Sequence, residues 1–206
     1  MRRERWHELC ARLGCPSAGA FFDEIVERYG ERSRHYHTGE HVSECLQVFD
    51  EARGLADRPD EVEFAIWLHD VIYVPRKNDN EERSASFAAK CLAGHGLEDV
   101  SRRIVELILA TRHSERPAAP DQTLIVDVDL HVLGAAPQRY AEFEDQVRRE
   151  YRWVPKPIFD RKRAEILEQF LGRDPLFMNP WFQDRYEDQA RSNLRGAIDS
   201  LRGGTA

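Results

Sequence analysis

Apolar positions recur at three- and four-residue intervals along most of this chain, and no segment shows the strict alternation of a half-buried strand. Trp6, Leu9, Cys10 and Leu13 mark a first short helix closed by Gly14 and Pro16. Phe21, Phe22, Ile25, Val26 and Tyr29 mark a second, closed by Gly30. Thr38 is placed to cap a third that carries Val42, Cys45, Leu46 and Phe49. Asp60, Glu61 and Glu63 load the first turn of a fourth with favourable negative charge, and that helix runs into a strongly apolar stretch. A fifth opens at Asn78-Asp79-Asn80 and continues through Ala89 and Leu92 to a break at Gly94 and Gly96. Residues 97–112 place Ile104, Leu107, Ile108 and Thr111 on one side of a sixth. After a loop at 117–120, the run 124–133 is short and apolar and is closed by Gly134. Pro137 suits the first turn of a helix reaching about Trp153, and helices at 158–171 and 181–201 complete the set, the last started by Asn179-Pro180. The polar tail from Arg202 to Ala206 is expected to fray. The pattern predicts an all-α chain organised as one domain over 1–206.

One stretch breaks the rule that core segments are apolar. In Ala65-Ile66-Trp67-Leu68-His69-Asp70-Val71-Ile72-Tyr73, seven of nine residues are apolar or aromatic, yet two ionisable side chains sit among them. Burying both is costly without compensation. Neighbouring residues on a helix point about 100° apart, so the pair can approach one point from two directions. A cation there would compensate the carboxylate and use the imidazole lone pair. A buried His-Asp hydrogen bond is the plainer alternative for an isolated doublet.

Composition narrows the classes. Thirty basic against 37 acidic residues give a formal charge of −7, which argues against extended nucleic-acid binding but leaves room for a local phosphate pocket. The four cysteines, Cys10, Cys15, Cys45 and Cys91, form no Cys-x-x-Cys pair, so neither a zinc ribbon nor a disulfide framework is expected. The start of the chain is polar, and no apolar stretch has the length of a membrane span. A cytoplasmic protein without membrane contact is the expectation.

Two further segments hold concentrated chemistry. Upstream, Arg34-His35-Tyr36-His37-Thr38-Gly39-Glu40-His41 contains three of the eight histidines, and His41 begins an amphipathic helix. Downstream, Asp127 and Asp129 sit inside the apolar run 124–130; two residues apart on a helix they diverge by roughly 200°, so they have different jobs. Arg76 and Lys77 follow the doublet by one loop, where they would meet an anionic substrate or remain solvated. His113 follows an apolar helix and is a candidate for phosphate or a second metal. His7, His35, His95 and His131 read as surface or helix-end residues. The basic stretch over 148–163 is interleaved with acids and reads as a helix face.

The order of a histidine, a His-Asp doublet and a distant aspartate resembles the HD-domain superfamily of metal-dependent phosphohydrolases, on His41, His69-Asp70 and Asp129. The resemblance extends to a small bacterial branch of predicted HD phosphohydrolases through Tyr36-His37-x-x-x-His41, Arg76-Lys77-x-Asp79-Asn80-Glu81-x-x-Ser84-Ala85, Thr111-Arg112-His113 and Asp127-Val128-Asp129-Leu130. It covers about residues 30–135, with the C-terminal helices over about 137–201 matching more loosely. It implies an HD-domain helical bundle with additional N- and C-terminal helices. The implied metal ligands are His41, His69, Asp70 and Asp129, the last preferred to Asp127 because Asp129-Leu130 falls where the family's final aspartate motif does. The same resemblance raises Glu81, which otherwise reads as a carboxylate favoured at a helix start, to a candidate that either acts in catalysis or supports the ligands from behind. Similarity to the Tyr-His-x-x-x-His pattern of cyclic-nucleotide phosphodiesterases suggests His37 as the acid that protonates a leaving oxygen, the alternative being a structural hydrogen bond.

Such an imidazole-carboxylate set suits a divalent transition metal, Mn, Fe, Co, Ni or Zn. One ion per chain is expected, since only His95 and His113 lie between the doublet and the last aspartate. The implied activity is hydrolysis of a small phosphorylated molecule, a nucleotide among the candidates, by metal-activated water. The alternatives are a non-catalytic nucleotide or metabolite sensor anchored by the metal, and an HD-type enzyme acting on a non-phosphate substrate.

Overall fold

The computed structural model describes residues 1–203, which form ten α-helices and three short 3-10 segments, with no strand among the described residues. The all-α expectation holds. Contacts group the chain into two compact units, Met1–Val128 and the part that starts at Asp129. No helix among the described residues is long and apolar enough to cross a membrane.

The first unit contains α1 (Arg3–Arg12), α2 (Phe22–Tyr29), α3 (Gly39–Ala52), α4 (Pro59–Leu68), α5 (Asn80–Leu92), α6 (Glu98–Ala110) and nearly all of α7 (Pro120–Leu130). Its centre is α4, whose residues 61–68 are all buried and which packs against α1, α3, α5 and α6. A helix that is apolar all round must be covered all round. Trp6 stacks on Phe64 at 5.0 Å between ring centroids and leans on Trp67 at 5.4 Å, while its indole N–H donates to Ala18 O at 3.2 Å. Phe49, Ile66, Leu68, Ile104 and Ile108 fill the rest of the core.

The acidic first turn of α4 has a firmer role than the dipole interaction expected of it. Glu63, 2% exposed, accepts from Arg5 at 2.7 Å and also meets Arg12 and Arg53. Glu61 takes a two-pronged contact from Arg103 at 2.6 and 2.7 Å. At the α4 entrance, the Asp121 carboxylate of α7 accepts from the backbone N–H groups of Asp57 and Arg58 at 2.8 and 3.0 Å, which seats α7 within the unit.

The second unit holds a 3-10 turn (His131–Gly134), α8 (Pro137–Glu150), α9 (Lys156–Leu171) and α10 (Pro180–Gly203). Here α10 packs on both α9 and the turn. A Cβ at Gly134 would stand 2.6 Å from the backbone oxygen of Tyr186, so only glycine allows that approach. Asn193 fixes the same corner by donating to Leu133 O and Ala135 O, both at 2.8 Å. His131 is buried against Tyr186 rather than at the surface. The basic face over 148–163 is tied to acids as expected, Arg163 to Glu144 and Lys156 to Asp160 among them.

Several boundaries differ from the sequence reading. Helix α7 begins at Pro120, where a proline needs no N–H donor, and not in the apolar run. Helix α8 stops at Glu150, short of Trp153, because Arg148 takes the carbonyls of Tyr151 and Val154. Helix α10 continues through Arg202, which pairs with Glu168, so the expected fraying does not begin there; residues 204–206 of that tail lie outside the described residues. Helix α4 ends at Leu68, which puts the His-Asp doublet just beyond its last turn rather than inside it.

Candidate metal centre

Where each carbonyl at the end of α4 finds its donor explains why the doublet is held where it is. Ile66 O accepts from the His69 ring nitrogen Nδ1 at 2.9 Å, and Trp67 O accepts from the Tyr29 hydroxyl at 3.1 Å. Leu68 O takes the N–H of Val71 at 3.2 Å. Arg34 donates to Asp70 O at 2.6 Å and to Val71 O at 2.9 Å. Ser84 brackets Ile72, its hydroxyl accepting from the N–H at 3.1 Å and donating to the carbonyl at 3.2 Å. Asn80 closes the next turn through Val74 N at 3.0 Å and Val74 O at 3.2 Å. Seven carbonyls between Ile66 and Val74 thereby find donors as the chain leaves the helix. Burial pushes the Tyr29 hydroxyl well above its ordinary pKa, with the Asp70 charge adding to the shift and Arg34 opposing it, so the phenol remains a donor.

The start of this path meets α3 and α7 so that four donors come together. His41, the third residue of α3 behind the Thr38 cap, brings Nε2 to 3.1 Å from His69 Nε2. Asp70 Oδ2 lies 3.3 Å from His69 Nε2 and 3.6 Å from His41 Nε2. Asp129 follows Val128 directly on α7, and a carboxylate oxygen of Asp129 with one nitrogen each of His41 and His69 all lie within 4.8 Å of one another. Cys45, one turn beyond His41 on α3, meets the His41 ring at 3.7 Å and Val128 O at 3.9 Å.

The donor set fits a metal ion on two observations. With Nδ1–H of His69 committed to Ile66 O, the lone pair of that imidazole resides on Nε2, the atom that faces His41 and Asp70. Two ligands bound at ~2.1 Å to one ion stand ~3.0 Å apart at a right angle and ~3.4 Å apart at the tetrahedral angle. The observed spacings of 3.1 and 3.3 Å lie in that range, and the 3.6 Å between Asp70 and His41 corresponds to a somewhat wider angle. His41, His69 and Asp70 are 1%, 2% and 9% exposed, so an ion among them would be shielded from bulk water on the protein side.

The other residues singled out in the sequence fall into two groups. His37 stands near the cluster: it precedes α3 instead of sharing its face, is half-buried, stacks on Tyr73 at 3.9 Å, and has its ring 6.0 Å from that of His41. Glu81, in the first turn of α5, is half-buried; its carboxyl is pushed above the ordinary range mainly by burial, with the charge of Asp70 contributing and that of Arg112 opposing. Arg112 in turn pairs with Glu82, which sets the end of α6 beside the start of α5. Arg76 and Lys77 are exposed on the turn between the doublet and α5. His113, next to Arg112, is half-buried and adopts a left-handed backbone with φ 58°. Asp127 is fully buried, whereas Asp129 is half-buried and carries its carboxylate to the histidines. His95 is half-buried and bonds Ser17 at 2.7 Å, in the α1–α2 connection.

Sequence reasoning assigns no role to Arg34 or Tyr73, reads Asn80 as a helix start and meets Ser84 only within a motif. These four hold the doublet's chain path and the His37 ring. No periodicity separates a buried arginine from a solvated one, so Arg34 carried no signal beyond its nearness to three histidines.

Comparison with protein-family models, with curated proteins and with solved structures finds no match to this chain.

Proposed function

We propose that this protein is a metal-dependent phosphohydrolase of the HD type, acting on a small phosphorylated molecule. The observation that carries the reading is the convergence of His41, His69 and Asp129, from α3, the end of α4 and α7, with Asp70 against both histidines. The motifs around Tyr36-His37, Asn80-Glu81 and Asp127-Val128-Asp129 add the resemblance to the superfamily. His41, His69, Asp70 and Asp129 would hold one divalent transition ion, a preference that follows from mixed imidazole and carboxylate donors. When bound, such an ion acidifies water and polarises a phosphoryl oxygen.

The chain's own groups would do the rest. His37, half-buried against Tyr73 and not itself within the donor cluster, holds a proton for the departing oxygen. Glu81, with a raised pKa beside Asp70, is a candidate to exchange a proton with the attacking water. Arg76 and Lys77, exposed one turn after the doublet, draw an anionic substrate toward it.

The test is a panel of phosphomonoesters and phosphodiesters presented to protein reconstituted with Mn, Fe, Co, Ni or Zn, with released phosphate and alcohol both quantified. Metal-stimulated release that disappears in His69→Ala is the expected result. Metal binding without turnover of any ester would overturn the hydrolase reading in favour of a ligand sensor, and turnover without phosphorus-oxygen cleavage would favour a non-phosphate substrate.

A further inference from the structure

We infer that Arg34 is the positioning residue of the metal centre: its buried guanidinium ties the His69-Asp70 turn to the His37 segment and so fixes the direction in which the donors point. The inference rests on the metal-binding reading above and adds to it a residue that touches no candidate ligand side chain in the contacts described.

Arg34 is buried, its side chain 1% exposed, in the short segment between α2 and α3. One terminal nitrogen donates to Asp70 O at 2.6 Å and to His37 O at 3.2 Å; the other donates to Val71 O at 2.9 Å. The remaining nitrogen, Nε, reaches Glu31 at 3.3 Å. One planar fork therefore bridges three main-chain carbonyls on two separate segments. A guanidinium does this with donors in fixed relative directions; an ammonium is a single point with rotatable protons. The plane is also held from the sides, with the Tyr29 ring 5.2 Å and the Tyr73 ring 5.9 Å from its central carbon. Tyr73 stacks in turn on His37. Both ends of this arrangement bear on chemistry, one being the backbone of Asp70 and the other the ring and backbone of His37.

The physical need is plain. Past Leu68 the chain abandons helical geometry, and the carbonyls of Asp70 and Val71 are buried where water cannot serve them. Unserved, each would be a buried acceptor without a partner, and the turn would rotate toward other donors. A rotation there swings the Asp70 carboxylate, because its Cα belongs to the same turn. Metal sites need ligands held to within about 0.5 Å, so a small rotation is read as lost affinity long before it is read as unfolding. A cation at the end of a helix is in addition favourably placed against the α4 dipole.

The test uses the full chain and cobalt(II) as the probe. Its visible absorption reports coordination geometry, and its affinity is measured by competition with a chelating dye. Arg34→Lys keeps the buried charge and loses the fork; Arg103→Met removes a two-pronged contact to Glu61 at the far end of the same helix and serves as the stability control. The expected result is cobalt binding at least tenfold weaker in Arg34→Lys with a changed visible spectrum, against unchanged affinity and spectrum in Arg103→Met even though its unfolding midpoint falls. Unchanged affinity and spectrum in Arg34→Lys would overturn the proposal while leaving the metal site standing. Equal weakening in Arg103→Met, or failure of Arg34→Lys to fold, would also overturn it, since Arg34 would then support the whole unit rather than aim a site. A wild-type protein that binds no cobalt would overturn both the proposal and the reading beneath it.

Discussion

The two ends of α4 bury carboxylates in opposite company. At its start, Glu61 faces the guanidinium groups of Arg103 and Arg58, and Glu63 faces those of Arg5, Arg12 and Arg53. Just beyond its end, Asp70 faces the imidazoles of His41 and His69, and the carboxylate of Asp129 converges on the same two rings. The first arrangement saturates negative charge with fixed positive charge from the chain itself, which makes a scaffold. The second collects groups whose shared property is an available lone pair, an expensive thing to do in a core unless a cation is to join them. Buried charge is thus informative only together with what it faces.

That contrast can be broken most forcefully at the donor end. His69→Ala should weaken metal binding by more than a hundredfold, with competition titration as the check, because an imidazole with its tautomer already set by Ile66 O is removed. If affinity changes by less than tenfold, the histidines serve the fold in the way Glu63 does. At the scaffold end, Glu63→Ala should cost roughly 2 kcal/mol of unfolding stability in denaturant titration, less than a fully enclosed pair would because its arginines are partly exposed, and should leave metal affinity alone. A shift in affinity with no loss of stability would reverse the roles assigned to the two ends.

A functional version of the comparison concerns His37. Its replacement by alanine should leave metal content intact and slow turnover about a hundredfold for esters with poor leaving groups, and much less for nitrophenyl esters, which need little protonation. Equal slowing across leaving groups would remove it from proton transfer.

The smallest effect is a pH dependence. Because the Glu81 carboxyl is raised in the fold, the fold binds its proton more tightly than the unfolded chain does. Stability from this group is therefore fully present below the unfolded pKa and is lost as pH rises through the folded value. Metal-free Glu81→Gln should show a flatter decline of stability above the ordinary carboxylate range than the wild type. A wild-type profile that rises there by the same amount as the variant's would contradict the shift.

Much of the fold was legible because amphipathic periodicity and caps act locally. Thr38 caps α3 by accepting from Glu40 N–H, Pro137 opens α8, and Asn179 accepts from Trp181 N–H at the start of α10. The end of α4 was not legible, because what stops that helix is a set of long-range donors, Tyr29, Arg34 and Ser84, and no local breaker. The convergence of His41, His69 and Asp129 was anticipated from residue types inside apolar runs and from the superfamily resemblance. The work of Arg34 was hidden, since a charged residue between helices ordinarily belongs to solvent.

The central claim is that the cluster at the end of α4 is built for a cation. The most direct test is elemental analysis of purified protein, alone and after loading with each transition ion and desalting, alongside His69→Ala and Asp129→Asn. The account predicts close to one ion per chain in the wild type, little in either variant, and a thermal midpoint that drops when the ion is chelated, since binding to the folded state alone stabilises it. Wild-type protein that retains no ion after loading, or variants that retain it at full stoichiometry, would contradict the account.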